Sequence, residues 1–170
     1  MRKAWVGVES PGGALPAPVR VRLLSRADEA VLGRIMWLAF QDSVDDEYRV
    51  PADADADAAG VFGDRWGPVV SQASLAAELD SVVISAVVIV LDDAHQGIPL
   101  LAFAMTDPAW QRQGIGRWLI EESIRRLDAI GVKELHLVVT RGNPAFALYQ
   151  RLGFEVVPGK SAPEVPGRSV

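Results

Sequence analysis

The chain has no cysteine and only two histidines, His95 and His136, among 170 residues. It can build no disulfide framework, no thiolate nucleophile and no cysteine-zinc site, and with two separated histidines a metal centre is not expected. This composition suits a reducing compartment, so a cytoplasmic protein without a metal is expected. Concentrated basic charge is missing as well. Seventeen Lys and Arg against 22 Asp and Glu give a net charge of −5 and a pI near 5.0. Nucleic acid is therefore not expected as a partner, because phosphate-backbone binding needs clustered Lys and Arg, whereas cationic ligands remain allowed. The longest apolar run, Val82 to Leu91, is too short for a membrane helix, and no sustained apolar stretch follows Met1-Arg2-Lys3. Neither membrane association nor a secretory signal is expected. No internal repeat of solenoid period is visible.

What the chain does have is 49% hydrophobic residues, enough for one well-packed core and too few positions for two. Residues 1–18, rich in Gly and Pro from 7 onward, read as a loose leader; 19–158 reads as a single domain and 159–170 as a Pro-rich tail. Val19 to Leu24 reads as a first strand. Ser25-x-x-Asp28 has the form of a capping box and opens a helix running to about Phe40. Asp42, Asp45, Asp46, Glu47 and the Ala-Asp alternation at 52–59 read as a solvated acidic loop with a short helix. Leu75–Leu79, Val82–Leu91 and Ile98–Thr106 are three consecutive strands separated by turns at Asp80-Ser81 and at 92–97.

The densest stretch is Gln111-Arg112-Gln113-Gly114-Ile115-Gly116-Arg117. It follows a strand closed by Asp107-Pro108 and opens an amphipathic run to Ile130. At ~100° per residue Ile115, Leu119, Ile120, Ile124, Leu127 and Ile130 share one half of the wheel, and Arg117, Glu121, Arg125 and Asp128 the other. Glu121 with Arg125, and Glu122 with Arg126, have helix-supporting i,i+4 spacing, and Gly131 supplies the stop. A strand, a glycine turn and a helix start bring unpaired N–H groups and the positive end of the helix dipole to one point, which suits a phosphate. Gly114 and Gly116 let a ligand approach the backbone, and Arg112 and Arg117 add positive charge. A Walker A loop is excluded by the lack of Gly-Lys-Ser/Thr, and a dinucleotide fingerprint by Leu119, where a third Gly or Ala is needed. Taken alone, the turn fits a ligand-free strand-to-helix connection equally well.

Further on, Glu134–Thr140 reads as a strand parallel to Ile98–Thr106 across a right-handed crossover. Asn143 and Pro144 are a good N-cap and first residue for a short helix ending at Leu152, with Gly153 as its C′ residue. Phe154–Val157 resembles a further strand. The tail after it offers no clear final strand, which leaves a sheet edge to be covered.

Gln111-x-x-Gly114-x-Gly116 resembles the pyrophosphate loop of the GNAT superfamily of acetyl-CoA-dependent N-acetyltransferases, and Thr106-Asp107-Pro108-Ala109-Trp110 resembles the turn leading into it. Asn143-Pro144-Ala145-Phe146-Ala147-Leu148-Tyr149-Gln150-Arg151-Leu152-Gly153-Phe154 is similar to that family's second signature, an Asn-started helix ending Leu-Tyr-x-x-Leu-Gly-Phe. The two motifs stand in the right order within residues 98–154 and are far more specific together than either alone. The resemblance implies an α/β fold (α+β by some schemes), with a central mixed, mostly antiparallel sheet and helices on both faces. It implies acetyl-CoA as cosubstrate, entering where neighbouring parallel strands splay, and transfer of its acetyl group to a primary amine by direct attack in a ternary complex.

Residue by residue, the resemblance assigns Gln111, Arg112, Gln113, Gly114, Ile115, Gly116 and Arg117 to the pyrophosphate. Ala104, Met105 and Thr106 match the strand whose backbone pairs with the pantetheine arm. Asn143 matches a polar residue that touches the same arm, although the Asn143-to-Tyr149 spacing is one residue shorter than the usual pattern. Tyr149 matches the residue that protonates or positions the departing sulfur; a phenol near pKa ~10 can protonate a thiolate whose conjugate acid lies near ~8.5. The region after the first helix falls beside the acceptor site, so the acidic residues there offer an anionic wall for an amine. No base is assigned: the strand position that carries a catalytic Glu in some relatives is Val138, and His136 on the same strand is as readily structural. The acceptor is an amine on a small molecule or on a protein, and a homodimer is left open. Two other readings stand beside this one: a non-catalytic acyl-CoA-binding or sensing module on the same fold, and an interaction protein with a vestigial loop.

Overall fold

A computed structural model describes residues 1–91 and 97–157. Among them the strands are β1 (Arg2–Ala4), β2 (Arg20–Leu23), β3 (Leu75–Leu79), β4 (Val82–Leu91), β5 (Pro99–Thr106) and β6 (Glu134–Leu137). The helices are α1 (Glu29–Phe40), α2 (Pro51–Phe62), α3 (Ile115–Ala129) and α4 (Ala145–Arg151). The strands form one sheet in the order β1-β6-β5-β4-β3-β2, antiparallel throughout except for the parallel β5–β6 pair. Leu32, Ile35 and Met36 of α1 and Ala54, Ala58 and Val61 of α2 bury one face of the sheet. Ile115, Leu119, Ile124 and Leu127 of α3, with Tyr149 and Leu152, bury the other. This is the mixed, mostly antiparallel sheet with helices on both faces that the sequence led us to expect. β4 reads as an unbroken apolar run because it lies mid-sheet with both faces covered.

Two bulges shape the middle of the sheet. β4 carries an extra residue opposite the Ala77–Glu78 step, and β5 carries one opposite Val88–Ile89, between Leu101 and Phe103. A bulge bends and twists its strand. In β5 it also redistributes side chains: Leu101 and Ala104 face the α3 side, while Phe103 and Met105 face α1 and α2. The bend coincides with the point at which β5 parts from β6.

Several expectations need correction. Residues 1–18 are not loose throughout, because β1 pairs with β6 and Arg2 exchanges two backbone hydrogen bonds with Glu155, at 2.9 and 2.8 Å. The N-terminal strand therefore covers the sheet edge, and Phe154–Val157 supplies one bridge rather than a strand. Trp5 fastens this edge by donating its indole N–H to Asp128 at 2.9 Å. The Ala-Asp alternation forms the helix expected after the acidic loop, but over 12 residues and not as a wholly solvated segment: Ala54, Asp57, Ala58 and Val61 recur at helical spacing on its buried face. Ile130 is exposed, and the buried face of α3 takes in Glu122 instead. Glu121 pairs with Arg117 rather than Arg125, because Glu122 holds both Arg125 and Arg126. β6 ends at Leu137, three residues short of its expected end. The turn at 92–97 and the 159–170 tail lie almost wholly or wholly outside the described residues.

Two buried carboxylates tie helices into the fold. Asp28 takes a bidentate bond from Arg22 at 2.7 and 2.8 Å and the Ser25 N–H at 2.9 Å, closing the expected capping box. Glu122 accepts from Arg125 at 2.7 and 2.6 Å and from Arg126 at 2.8 Å. Hydrogen bonds from these guanidinium groups hold both carboxyls below their ordinary range, against the opposing effect of burial. A depressed folded-state pKa means stability that is present above the unfolded value and lost as pH falls through the folded one. We expect Glu122→Gln to cost ~2 kcal/mol at neutral pH, roughly 4–8 °C in Tm for a chain of this size, and to flatten the fall of Tm below pH ~4.5. Thermal melts of both proteins from pH 3 to 7 check it; parallel curves would show that Glu122 adds nothing through its charge.

Candidate active site

The candidate site lies where β5 and β6 separate. The two strands pair at Leu100↔His136 and Leu101↔Leu137 and nowhere beyond. On that side the backbone of β5 from Ala102 to Thr106 has no strand neighbour among the described residues, an edge that suits an extended ligand. Its side chains are otherwise engaged: Met105 is buried on the α1 and α2 side, and the Thr106 hydroxyl lies 2.8 Å from that of Ser85. Ala104, Met105 and Thr106 thus offer backbone to the gap.

A short 3-10 turn, Pro108–Trp110, carries the chain from β5 to α3. Asp107 caps it by accepting the Ala109 N–H at 3.0 Å and is held from α1 by Arg34 at 2.9 Å. Gln111 donates its side-chain amide back to the Thr106 carbonyl at 3.1 Å, closing the loop on the end of the strand. Gly114, at φ +83°, is the left-handed residue from which α3 starts, a conformation that costs other L-residues ~1–2 kcal/mol. Arg112 accepts such a strained value, φ +65°. The first intrahelical bond runs from the Trp118 N–H to the Gly114 carbonyl at 2.9 Å. The N–H groups of residues 112–117 find no acceptor among the described residues. They form a dipole-backed set of free donors of the kind that suits an anion. Gly116 lets the helix sit close on the strand, since a Cβ there would meet Thr106 Oγ1 at 3.2 Å.

The seven loop residues are not equivalent. Ile115 is buried in the core, so only its backbone is available, whereas the Gln113 side chain is exposed. The charge of Arg117 is shared with Glu121 at 2.9 Å, and Glu121 also accepts the Gly12 N–H, bringing the leader against α3. Arg112 pairs with no described carboxylate and is the freer cation.

α4 follows β6 in the chain, and its Tyr149 joins the core on the α3 side of the sheet. Asn143 accepts the Ala145 N–H at 2.7 Å and so caps the helix, as expected, while its side-chain N–H donates to Asp45 at 2.5 Å. Tyr149 is only 9% exposed and packs edge-on against Phe154, ring centroids 5.8 Å apart. Its hydroxyl has no hydrogen bond to a described residue. Burial first, and the charge of Asp45 second, push its pKa up to about 12. The phenol therefore keeps its proton at any working pH. His136 is bound to Glu134 at 2.8 Å and lies at the buried edge of β6, while Val138 is 46% exposed and carries no titratable group.

Sequence reasoning gathered these parts without joining them. It did not single out Asp45 from its acidic neighbours, nor Arg34 as the anchor of Asp107, since both depend on contacts between distant segments. Its one signal for Asp45 was the clustering of charge after α1.

Comparison with known proteins bears on the family and the fold. A family model described as an acetyltransferase (GNAT) domain matches residues 71–156, half of the chain. The curated ribosomal protein bS18-alanine N-acetyltransferase of Escherichia coli is 45% identical over 67 residues. That match spans 39% of this chain and 42% of the relative, less than half the length of either. Among solved structures, the Escherichia coli ribosomal-protein-S18-alanine N-acetyltransferase superimposes with TM-score 0.62 at 25% identity, covering 81% of this chain and 77% of the other. A GNAT family acetyltransferase from Brucella melitensis, solved in complex with acetyl-CoA, superimposes with TM-score 0.60 at 23% identity over 81% and 83% of the two chains. No helix among the described residues is long and apolar enough to cross a membrane.

Proposed function

From the premise that this chain belongs to the GNAT acetyltransferase family, we propose that it transfers an acetyl group from acetyl-CoA to a primary amine, by direct attack in a ternary complex. The observation that carries the reading is the combination of an unpaired β5 edge, the free N–H cradle at the start of α3 and a Tyr149 hydroxyl without a described partner. The residues fit the cosubstrate. The N–H groups of 112–117, with Arg112, suit a pyrophosphate, and the open edge of Ala104, Met105 and Thr106 suits the amide-bearing pantetheine arm.

Chemically, the amine reaches the site as an ammonium and loses one proton to solvent. Its nitrogen pair forms a bond to the thioester carbonyl carbon as the carbon–sulfur bond breaks, and the sulfur keeps that bond's electrons. Backbone N–H groups of β5 are suited to bear the carbonyl oxygen's growing charge. Tyr149 donates its hydrogen bond to the departing sulfur, where the nitrogen's second proton is finally accounted for. With Val138 just past β6 offering no base, deprotonation falls to water, so the rate should rise with pH toward the amine's own pKa.

An α-amine at a peptide terminus is the first acceptor class to try, since the curated relative is described as acting on a ribosomal protein's alanine. The test is release of free CoA thiol from acetyl-CoA in the presence of a panel of alanine-led peptides and small primary amines, with N-blocked peptides as controls. We expect thiol release only with free amines. Tight acetyl-CoA binding without thiol release from any amine would leave a binding module in place of an enzyme.

A further inference from the structure

The loop between α1 and α2 carries four carboxylates close in sequence, and the fold treats them differently. Asp42, Asp46 and Glu47 are exposed, and Asp46 is used within the loop, accepting the Asp42 N–H at 2.9 Å. Asp45 is half-buried. It reaches 98 residues along the chain to take the Asn143 side-chain N–H at 2.5 Å, and Asn143 in turn caps the helix that carries Tyr149. Val44 flanks the same contact, lying 4.0 Å from where a Cβ on Gly142 would stand. The loop is thus docked along 142–143, at the start of α4.

What is missing from this arrangement is a cation. No Lys or Arg among the described residues pairs with Asp45, and one of its carboxylate oxygens accepts nothing from them. Asp45 is thus a half-buried carboxylate within electrostatic range of the Tyr149 phenol and without a described counter-charge, an environment that a cationic ligand complements. Tyr149 is buried as a residue, and its hydroxyl has no hydrogen-bond partner among the described residues. Asp45, which lacks a cation, and the Tyr149 hydroxyl, which lacks an acceptor among the described residues, thus lie within electrostatic range of each other.

We propose that Asp45 is the residue that receives the acceptor's ammonium, held by Asn143 beside Tyr149, and that it sets a preference for acceptors with positive charge on the reacting nitrogen. The proposal rests on the acetyltransferase reading. Asp45 binds and orients the cation; the proton leaves to water, and no bond to Asp45 forms or breaks. Asn143 is a positioning residue, which fixes one carboxylate oxygen and leaves the other for the ligand.

The test uses the full chain, acetyl-CoA and an alanine-led peptide with a free terminus, or the best amine from the screen above. Asp45→Asn keeps an oxygen that accepts from Asn143 and removes only the charge. We expect its KM for the amine to rise about tenfold or more, with acetyl-CoA affinity by calorimetry unchanged and kcat lowered less than KM is raised. Asp45→Glu should recover part of the loss, and Asp46→Asn should leave KM within about twofold, the usual reach of an exposed charge. Equal KM in wild type and Asp45→Asn would overturn the assignment while leaving the acetyltransferase reading intact. A parallel loss of acetyl-CoA affinity would also overturn it, making Asp45 a fold-supporting residue. If wild type acetylates no amine at all, both readings fall.

Discussion

Gly114→Glu is expected to reduce acetyl-CoA affinity by roughly 100-fold or more while the protein stays folded. Nothing lies within 4 Å of a Cβ built on Gly114, so the new side chain meets no steric barrier and projects into the space in front of the helix start. It has two costs. The left-handed φ of +83° strains any L-residue by ~1–2 kcal/mol, which lowers stability but acts nearly equally on free and bound protein. The second cost falls on the ligand alone: a carboxylate ~5 Å from a phosphate, at the effective dielectric of ~20 suited to a protein surface, repels it by ~3 kcal/mol per charge. The same carboxylate competes for the N–H groups of 112–117 and for Arg112. Gly114→Ala separates the two effects, since it carries the strain without the charge and should bind within a few-fold of wild type. Calorimetry with acetyl-CoA on all three proteins, with melts to establish folding, decides the matter. Unchanged affinity in folded Gly114→Glu would remove the pyrophosphate from this loop.

Tyr149→Phe is expected to lower kcat by roughly 10²-fold, the lower end of the ~10²–10⁴ typical of general acids, with acetyl-CoA affinity nearly unchanged. The lower end is chosen because the phenol's pKa is pushed up to about 12 by burial and by Asp45. Direct transfer to a thiolate whose conjugate acid is near ~8.5 is then uphill by ~3.5 units, about 5 kcal/mol. The hydroxyl therefore acts mainly by donating a hydrogen bond to sulfur as charge builds there. The raised pKa also fixes the pH signature. The donor form is present below the folded value and is lost only as pH rises through about 12, so wild type and Tyr149→Phe should differ in height and share one profile shape from pH 6 to 10. Single-turnover rates across that range check this. Equal rates, where chemistry is limiting, would reduce Tyr149 to a partner for Phe154.

Much of the site was legible in the sequence because its parts are local. A left-handed glycine, a helix start with spare N–H groups and an apolar stripe at helical spacing are decided by neighbours a few residues apart. The strand boundaries of β3 and β4, the capping box at Ser25 and the N-cap at Asn143 follow the same logic. Fold class followed from the order of such elements, and the family resemblance from two of them in sequence.

The rest depended on pairings that no local pattern encodes. A three-residue strand such as β1 has no periodicity to detect, and it forms because the β6 edge and Glu155 offer it hydrogen bonds. The Ala-Asp alternation has period two in composition, yet the sheet buries only Ala54, Asp57, Ala58 and Val61, and burying Asp57 depends on bonds from Arg65 and Tyr48. Glu122 is inside because two arginines reach it, while Ile130, apolar and on the same wheel face, is out because α3 ends at Ala129. Asp45 was one of four equal carboxylates until a contact 98 residues away took one of its oxygens. Turn chemistry and helix starts are properties of adjacent residues, so the order of amino acids is enough to show where backbone groups are left free. Which side chains lose their water came only from the packed fold, because desolvation is set by what packs above a residue and not by what precedes it.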